Sequence, residues 1–221
     1  MRVVFAVLLT TAAATTLAFD PEWGGTWKFF GTLLGVYAAL GAWAIYRMWD
    51  EGILRAVFKF KSGDFAIGAI TGLVLLVGSW LGRATITPAG SDEQAWVLYV
   101  YLMVGDPAVV QSSVLVILAL LAIATLEEIV WRAMVLDQLM QRYGDRRSWP
   151  LSAVLYSLSL LPTAFTLRGP AGLNPILPLA ALGCGLVWGF MGRLFGRLPP
   201  LIISHMIFTY FAAVQFRLPG F

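Results

Sequence analysis

The sequence predicts an all-α membrane protein, a polytopic bundle of about seven transmembrane helices with one short interfacial or re-entrant segment. Three observations support this fold class. Of the 221 residues, 59% are hydrophobic and only 12% are charged, the mean hydropathy is +0.80, and long apolar segments recur along the chain. A soluble domain carries roughly 25% charged residues, so this chain lacks the polar surface that a soluble protein needs. The composition excludes a soluble enzyme, a nucleic-acid-binding domain and a disordered protein.

Seven segments approach the length of about 20 apolar residues that crosses a hydrocarbon core of roughly 30 Å. The predicted spans cover residues 3–19, 26–49, 65–81, 108–126, 149–167, 173–191 and 199–216. The apolar run 95–104 is too short to cross, which predicts an interfacial or re-entrant segment. The first span has an alternative interpretation as a cleaved signal peptide, although Arg2 is its only basic flanking residue and no clear small-residue cleavage site precedes Asp20.

The distribution of basic residues predicts the orientation of these spans. With the N-terminus in the cytoplasm, eleven of the fifteen Lys and Arg residues lie on the cytoplasmic side and four on the outer side, as the positive-inside rule requires. The four outer residues are Lys28, Arg83, Arg168 and Arg217. We expect an integral protein of the bacterial plasma membrane. No linker or repeat divides it, so we expect one transmembrane domain over 1–221, with N-terminal spans in 1–107 and a core in 108–216.

Two adjacent carboxylates, Glu127 and Glu128, extend the fourth apolar span. An ionisable group at membrane depth is unfavourable and usually functional. Arg132 follows Glu128 by four residues, a helical spacing that suits an ion pair. Glu127 points about 100° away from Glu128, since a helix turns once in 3.6 residues, so the two acids can have different surroundings, as a general base requires. The alternative is an amphipathic helix that leaves the membrane with these charges on its polar face.

The single histidine, His205, lies six residues after Pro199 in the last span. At 1.5 Å per residue it lies roughly 9 Å from the cytoplasmic end of that span. The topology therefore places it at the depth of Glu127 and Glu128, although a lone histidine bonded to a neighbouring helix is the simpler alternative. One histidine and one cysteine, Cys184, exclude an intrachain disulfide and a His-rich or Cys-rich metal site.

These residues resemble motifs of the CPBP family, the CAAX-prenyl-protease and bacteriocin-processing (Abi) proteins, which include glutamate-dependent intramembrane endopeptidases. The family motif Glu-Glu-x-x-x-Arg is matched by Glu127, Glu128 and Arg132. The motif His-x-x-x-Asn/Asp corresponds to His205 and the four residues after it. The order, spacing and span placement of the motifs carry the resemblance, which covers about residues 114–213.

The resemblance implies a role for each matching residue. Glu127 would activate a water for attack on a peptide carbonyl, and Glu128 with Arg132 would form a supporting pair. His205 would position water and stabilise the oxyanion. We take Glu127, His205 and Glu128 as the candidate catalytic residues, with no metal and no cofactor, because a single histidine cannot form a His-rich zinc site.

Two positions depart from the family pattern. Leu160 stands where the second motif, Phe-x-x-x-His, has its histidine, and Thr209 stands where the third has Asn or Asp. Loss of one oxyanion donor typically lowers the rate by about 10²–10³. Tyr156 shares a helical face with Leu160, and Thr209 lies at i+4 from His205. We therefore expect Tyr156 and Thr209, together with Arg132, to act as supporting residues.

The implied function is a membrane-embedded glutamate-dependent endopeptidase that cleaves membrane-associated or lipid-modified proteins or peptides. Its partners would be the lipid bilayer and that substrate, with no nucleic acid. An alternative function is a catalytically impaired relative that acts as a membrane scaffold or substrate-binding protein, which Leu160 favours. A third, a small transporter with a glutamate proton relay, lacks the inverted repeats expected of one.

Overall fold

The computed structural model describes residues 1–215. Within this range the regular secondary structure is helical, with an isolated β-bridge between Gly169 and Gly172 and no strand. The predicted all-α class is confirmed. The predicted end of the last span at Phe216 and the outer charge of Arg217 lie outside the described residues.

The α-helices are α1 (Arg2–Ala18), α2 (Trp27–Asp50), α3 (Leu54–Val57), α4 (Asp64–Ile86), α5 (Gln94–Val104), α6 (Pro107–Ser112), α7 (Val114–Glu128), α8 (Leu136–Tyr143), α9 (Asp145–Ser159), α10 (Leu161–Thr166), α11 (Ile176–Phe195) and α12 (Pro199–Tyr210). Two π-helical segments join or extend them, Ile129–Val135 between α7 and α8 and Phe211–Gln215 after α12. A short 3₁₀ turn, Pro21–Trp23, precedes α2.

Four helices within the described range are long and apolar enough to cross a membrane. They are Trp27–Asp50, Asp64–Ile86, Val114–Tyr143 and Ile176–Phe195. The helices α1 and α5 are apolar but shorter, and α5 agrees with the short segment predicted over 95–104. The protein is thus a helical integral membrane protein, and a total of seven spans stays a prediction.

Two predicted span boundaries are wrong for local reasons. The fourth span begins at Val114 rather than at residue 108, because the Ser113 hydroxyl caps α7 by accepting from the Val116 N–H at 3.4 Å. The fifth predicted span, 149–167, is interrupted after Ser159. Pro162 has no N–H to continue the helical pattern there.

The helix α1 makes a buried hydrogen bond to the backbone at the interruption after α9. The Thr163 N–H bonds to the Leu160 carbonyl rather than to that of Ser159. The buried Thr15 hydroxyl of α1 donates to the Ser159 carbonyl at 2.8 Å. A polar group of α1 thereby satisfies a backbone acceptor that a continuous helix would have used, as buried carbonyls require.

The helix α7 packs against α2 and α12. The helix α9 packs along α11 and also contacts α1 and α8. Glycines permit the close approach of α11 to α9, since a Cβ added at Gly189 would lie 2.9 Å from the Trp149 carbonyl oxygen. Glycines thus form a close-packing face on α11.

A second glycine face holds α12 against α4. A Cβ at Gly68 would lie 2.7 Å from the Pro200 carbonyl oxygen, and one at Gly72 would lie 2.9 Å from that of Ser204. Small residues four apart allow such backbone contact between membrane helices. Because α12 carries His205, this contact also fixes the height of the histidine.

Candidate active site

The two glutamates are the last residues of α7, at the junction with the π-helical segment. The Glu128 side chain is fully buried, and its Oε2 lies 3.4 Å from the Nε of Arg132. The structure thus places Glu128 and Arg132 side by side, on a π-helical turn where the sequence predicts an α-helical one. Single π turns within α-helices are rare and are frequent at functional sites.

Arg132 is buried between two aromatic rings. Its guanidinium carbon lies 5.0 Å from the centre of the Tyr156 ring and 5.6 Å from that of Trp188. The negative faces of the two rings attract the cation, so they offset part of the loss of hydration. Within residues 1–215 the guanidinium makes no hydrogen bond of good geometry, and the ion pair with Glu128 is its charged contact.

His205 reaches both carboxylates from α12. Its Nδ1 lies 2.8 Å from Oε1 of Glu128, and its Nε2 lies 3.6 Å from Oε2 of Glu127. With the ring proton on Nδ1, the histidine donates to Glu128 and directs the Nε2 lone pair towards the side of Glu127. Glu128 therefore fixes the orientation of the imidazole.

The face of the imidazole is also fixed. The Trp188 ring of α11 stacks on it with a centroid distance of 3.9 Å and an interplanar angle of 25°. The Trp188 indole N–H also donates, at 3.0 Å, to the hydroxyl of Ser204, which directly precedes His205 in α12. The histidine ring is thus held edge-on by Glu128 and face-on by Trp188.

Tyr156 of α9 donates its hydroxyl hydrogen to Oε2 of Glu127 at 3.2 Å. The side chain of Glu127 is 13% exposed, whereas that of Glu128 is 0% exposed. The two acids thus have different surroundings, with Glu128 enclosed by Arg132 and His205. Glu127 is the more accessible of the two acids.

The two positions that depart from the family pattern lie differently. Leu160 directly follows α9 and packs, half-buried, against the hydrophobic core. No hydrogen bond joins Thr209 to His205 in the part of the chain that the structure describes, and both ring nitrogens of His205 face the glutamates. The supporting role of Thr209 stays a prediction without a contact behind it.

Sequence reasoning missed four residues at the site. They are Tyr37, Trp131, Trp188 and Ser204. Tyr37 of α2 is buried, and its hydroxyl lies beside the Glu127 carboxyl and the Trp131 indole. One signal was available for Trp188, because tryptophans concentrate at membrane interfaces and this one stands well inside an apolar helix.

The donor set does not fit a metal ion. The oxygens of Glu128 are occupied by the His205 ring nitrogen and the Arg132 guanidinium, so a cation bound there would meet the positive charge of Arg132 at close range. Among residues 1–215, no group of three or more His, Cys, Asp or Glu side chains is arranged to hold a metal. The absence of a metal from the reaction stays a prediction.

Two cavities lie near these helices. A small cavity of about 80 Å³ is lined by Arg132, Asp137 and Arg197, among other residues. Its volume is that of about two or three waters. A larger apolar cavity of about 380 Å³ lies between α4 and α11 and reaches Cys184 and Phe208. The glutamates do not line the larger cavity, although Phe208 packs edge-on against Trp188.

Comparison with known proteins agrees with the motifs. Residues 109–211 match the family model described as Rce1-like, type II CAAX prenyl endopeptidase Rce1-like, a family of intramembrane proteases. No curated protein and no solved structure matches the chain. The matched range contains Glu127, Glu128, Arg132, Tyr156 and His205. The resemblance to the CPBP family is therefore confirmed over residues 109–211, the segment of this chain that carries every one of its motif residues.

Proposed function

We propose that this protein is a membrane-embedded endopeptidase of the CAAX-protease-like type that hydrolyses peptide bonds with a glutamate-activated water. One observation carries the proposal. The Tyr156 hydroxyl and Nε2 of His205, from two other helices, both lie within 3.6 Å of Oε2 of Glu127. A carboxylate and an imidazole in a largely water-excluded site are the groups that general-base hydrolysis needs.

The reaction begins with a water held between Glu127 and Nε2 of His205. Glu127 takes a proton from this water while the water oxygen forms a bond to the carbonyl carbon of the substrate. The electrons of the carbonyl π bond move to its oxygen, which becomes the oxyanion of a tetrahedral intermediate. Collapse restores the carbonyl and breaks the C–N bond as Glu127 returns its proton to the leaving nitrogen. The products are a carboxyl group and an amine.

Glu128 and Arg132 act on His205 rather than on the substrate. Glu128 is enclosed and accepts from Nδ1, which holds the imidazole in the tautomer that leaves Nε2 free to accept a hydrogen bond from the water. Arg132 balances the Glu128 charge, which would be strongly unfavourable if it were buried alone. Burial strengthens each of these interactions, because the effective dielectric constant is lower than that of water.

The proposed substrates are membrane-associated or lipid-modified proteins or peptides that approach from the cytoplasmic side of a bacterial plasma membrane. The family match supports an apolar, membrane-bound substrate. The apolar cavity between α4 and α11 has space for a lipid chain or an apolar side chain of a substrate beside Cys184 and Phe208. Water would reach the other side of the site through the small cavity at Arg132.

The test is cleavage by the purified protein in liposomes of two fluorescence-quenched reporter peptides, one ending in a prenylated CAAX sequence and one carrying an apolar membrane segment. We expect the wild type to cleave at least one reporter and Glu127→Gln and His205→Ala to abolish cleavage. Glu51→Gln removes an exposed acid of the same protein and should leave the rate unchanged. A wild type that cleaves neither reporter, or a Glu127→Gln variant that cleaves normally, would overturn the proposal.

A further inference from the structure

We infer that Tyr37 is a positioning residue for Glu127, so that α2, which lies outside the family-matched segment, completes the site. This inference rests on the proposed function, since it concerns the carboxylate that would act as general base. It adds a residue from the N-terminal half of the chain to a site whose motif residues all lie after residue 108.

The position of Tyr37 is fixed by the packing of α2 on α7 and on the π-helical segment. Tyr37 is 1% exposed and belongs to the buried face of α2. On the same face, a Cβ added at Gly41 would lie 2.9 Å from a methyl carbon of Leu126. Leu126 directly precedes Glu127, and Gly41 lies one helical turn after Tyr37, so this face of α2 packs beside the end of α7 that carries the glutamate.

The buried hydroxyl of Tyr37 has no hydrogen-bond partner within the described residues. It lies beside the Glu127 carboxyl and the Trp131 indole, yet within residues 1–215 it makes no hydrogen bond of good geometry, and the same is true of the buried Trp131 N–H. A buried polar group without a hydrogen bond is unfavourable by about 1–3 kcal/mol. Such groups in a folded protein require an explanation, and a catalytic site is one of the few that apply.

Glu127 is thereby approached from three helices. Tyr156 donates to it from α9, His205 faces it from α12, and Tyr37 lies beside it on α2. A carboxylate accepts up to about four hydrogen bonds, so Glu127, which accepts one from Tyr156, has acceptor sites for a water and for the Tyr37 hydroxyl when it turns towards the carboxylate. Leu160, directly after α9, offers no donor at the motif position, and Tyr37 of α2 is a further hydroxyl beside Glu127.

The first test compares Tyr37→Phe with Tyr46→Phe, which removes an exposed hydroxyl from the same helix. In the liposome assay we expect Tyr37→Phe to lower kcat by up to about 100-fold with KM unchanged, because a small misplacement of a catalytic group has an effect of this size. Its Tm should be equal to or above that of the wild type, since a buried unpaired hydroxyl is removed. Tyr46→Phe should change neither quantity. A Tyr37→Phe variant with lowered Tm and unchanged kcat would show a purely structural residue and overturn the inference.

The second test does not depend on turnover. The infrared difference spectrum between wild type and Glu127→Gln isolates the carboxyl band of Glu127, which responds to its hydrogen-bond donors. Tyr37→Phe should shift this band and Tyr46→Phe should not. If the wild type fails to cleave any reporter, the proposed function fails while this spectrum still decides on Tyr37. If Glu127→Gln abolishes cleavage but Tyr37→Phe changes neither the band nor kcat, only the present inference is overturned.

Discussion

Buried ions dominate the site at the scale of single residues. Glu128 and Arg132 are enclosed together, and the rings of Tyr156 and Trp188 cover the guanidinium. The acids, the arginine and the histidine could be predicted from the sequence, because charges are rare in this chain and ionisable groups inside an apolar segment stand out. Tyr37 could not, because an aromatic residue within an apolar helix has the same pattern whether it fills a core or lines a site.

The buried ion pair between Glu128 and Arg132 should contribute to the stability of the protein. Arg132→Met keeps much of the side-chain volume but leaves the Glu128 charge without its cation. We expect the free energy of unfolding to fall by about 3–5 kcal/mol, as for other buried ion pairs from which one partner is removed. Unfolding in mixed detergent, followed by circular dichroism, measures the change.

The control uses the other glutamate–arginine pair at this spacing, Arg47 and Glu51, whose side chains are 27% and 37% exposed. Arg47→Met should lower the free energy of unfolding by no more than about 1 kcal/mol. Equal effects of the two substitutions would show that Arg132 does not compensate a buried charge.

At the scale of helices, close backbone contacts set the geometry of the site. The helix α12 holds its position against α4 through Gly68 and Gly72, and α11 holds its position against α9 through Gly185 and Gly189. Hydropathy predicts where α2, α4 and α11 lie to within a few residues. It does not predict the interruption at Leu160, because the apolar character continues across Pro162. Nor does it predict the π-helical segment, because largely apolar residues at this position fit an α-helix equally well.

The contact between α4 and α12 is tested by one glycine substitution and a matched one on the same helix. A Cβ at Gly72 would lie 2.9 Å from the Ser204 carbonyl oxygen, whereas a Cβ at Gly78 meets nothing within 4 Å. Gly72→Ala should therefore destabilise the protein by about 1–3 kcal/mol through overpacking and lower the cleavage rate by displacing His205.

Gly78→Ala should have the opposite sign in the same unfolding experiment. Alanine is a better helix former than glycine by up to about 1 kcal/mol, and no clash opposes it. A Gly72→Ala variant as stable as Gly78→Ala would show that α4 and α12 have room to separate without loss.

At the scale of the whole molecule, the site is assembled from residues far apart in sequence. Glu127, Tyr156 and His205 belong to three helices, and α1 and α2 pack around them. The sequence predicts that the two acids and the histidine lie at one depth, because its charges give a consistent topology. It does not predict the contribution of the N-terminal half, since long-range packing leaves no periodic signal in an apolar chain.

The predicted orientation is tested by labelling single cysteines in intact cells. With Cys184 replaced by alanine, we expect a membrane-impermeant maleimide to label Asp92→Cys, in the predicted outer loop, and not Lys59→Cys, in the predicted cytoplasmic loop. Both positions are exposed, so both should be labelled after the membrane is broken. Labelling of Lys59→Cys alone in intact cells would reverse the orientation, and labelling of both would contradict the number of spans between them.

The central claim is that Glu127 and His205 work on one water as a single unit. The most direct measurement is a double-mutant cycle of cleavage rates in liposomes with Glu127→Gln, His205→Ala and the combined variant. Residues that act as a unit show strongly non-additive effects. We therefore predict that each single substitution lowers the rate by about 10³-fold or more and that the combined variant is hardly slower than either. A combined variant whose rate reduction equals the product of the two single reductions would contradict a shared site. So would a His205→Ala variant that retains most of the wild-type rate.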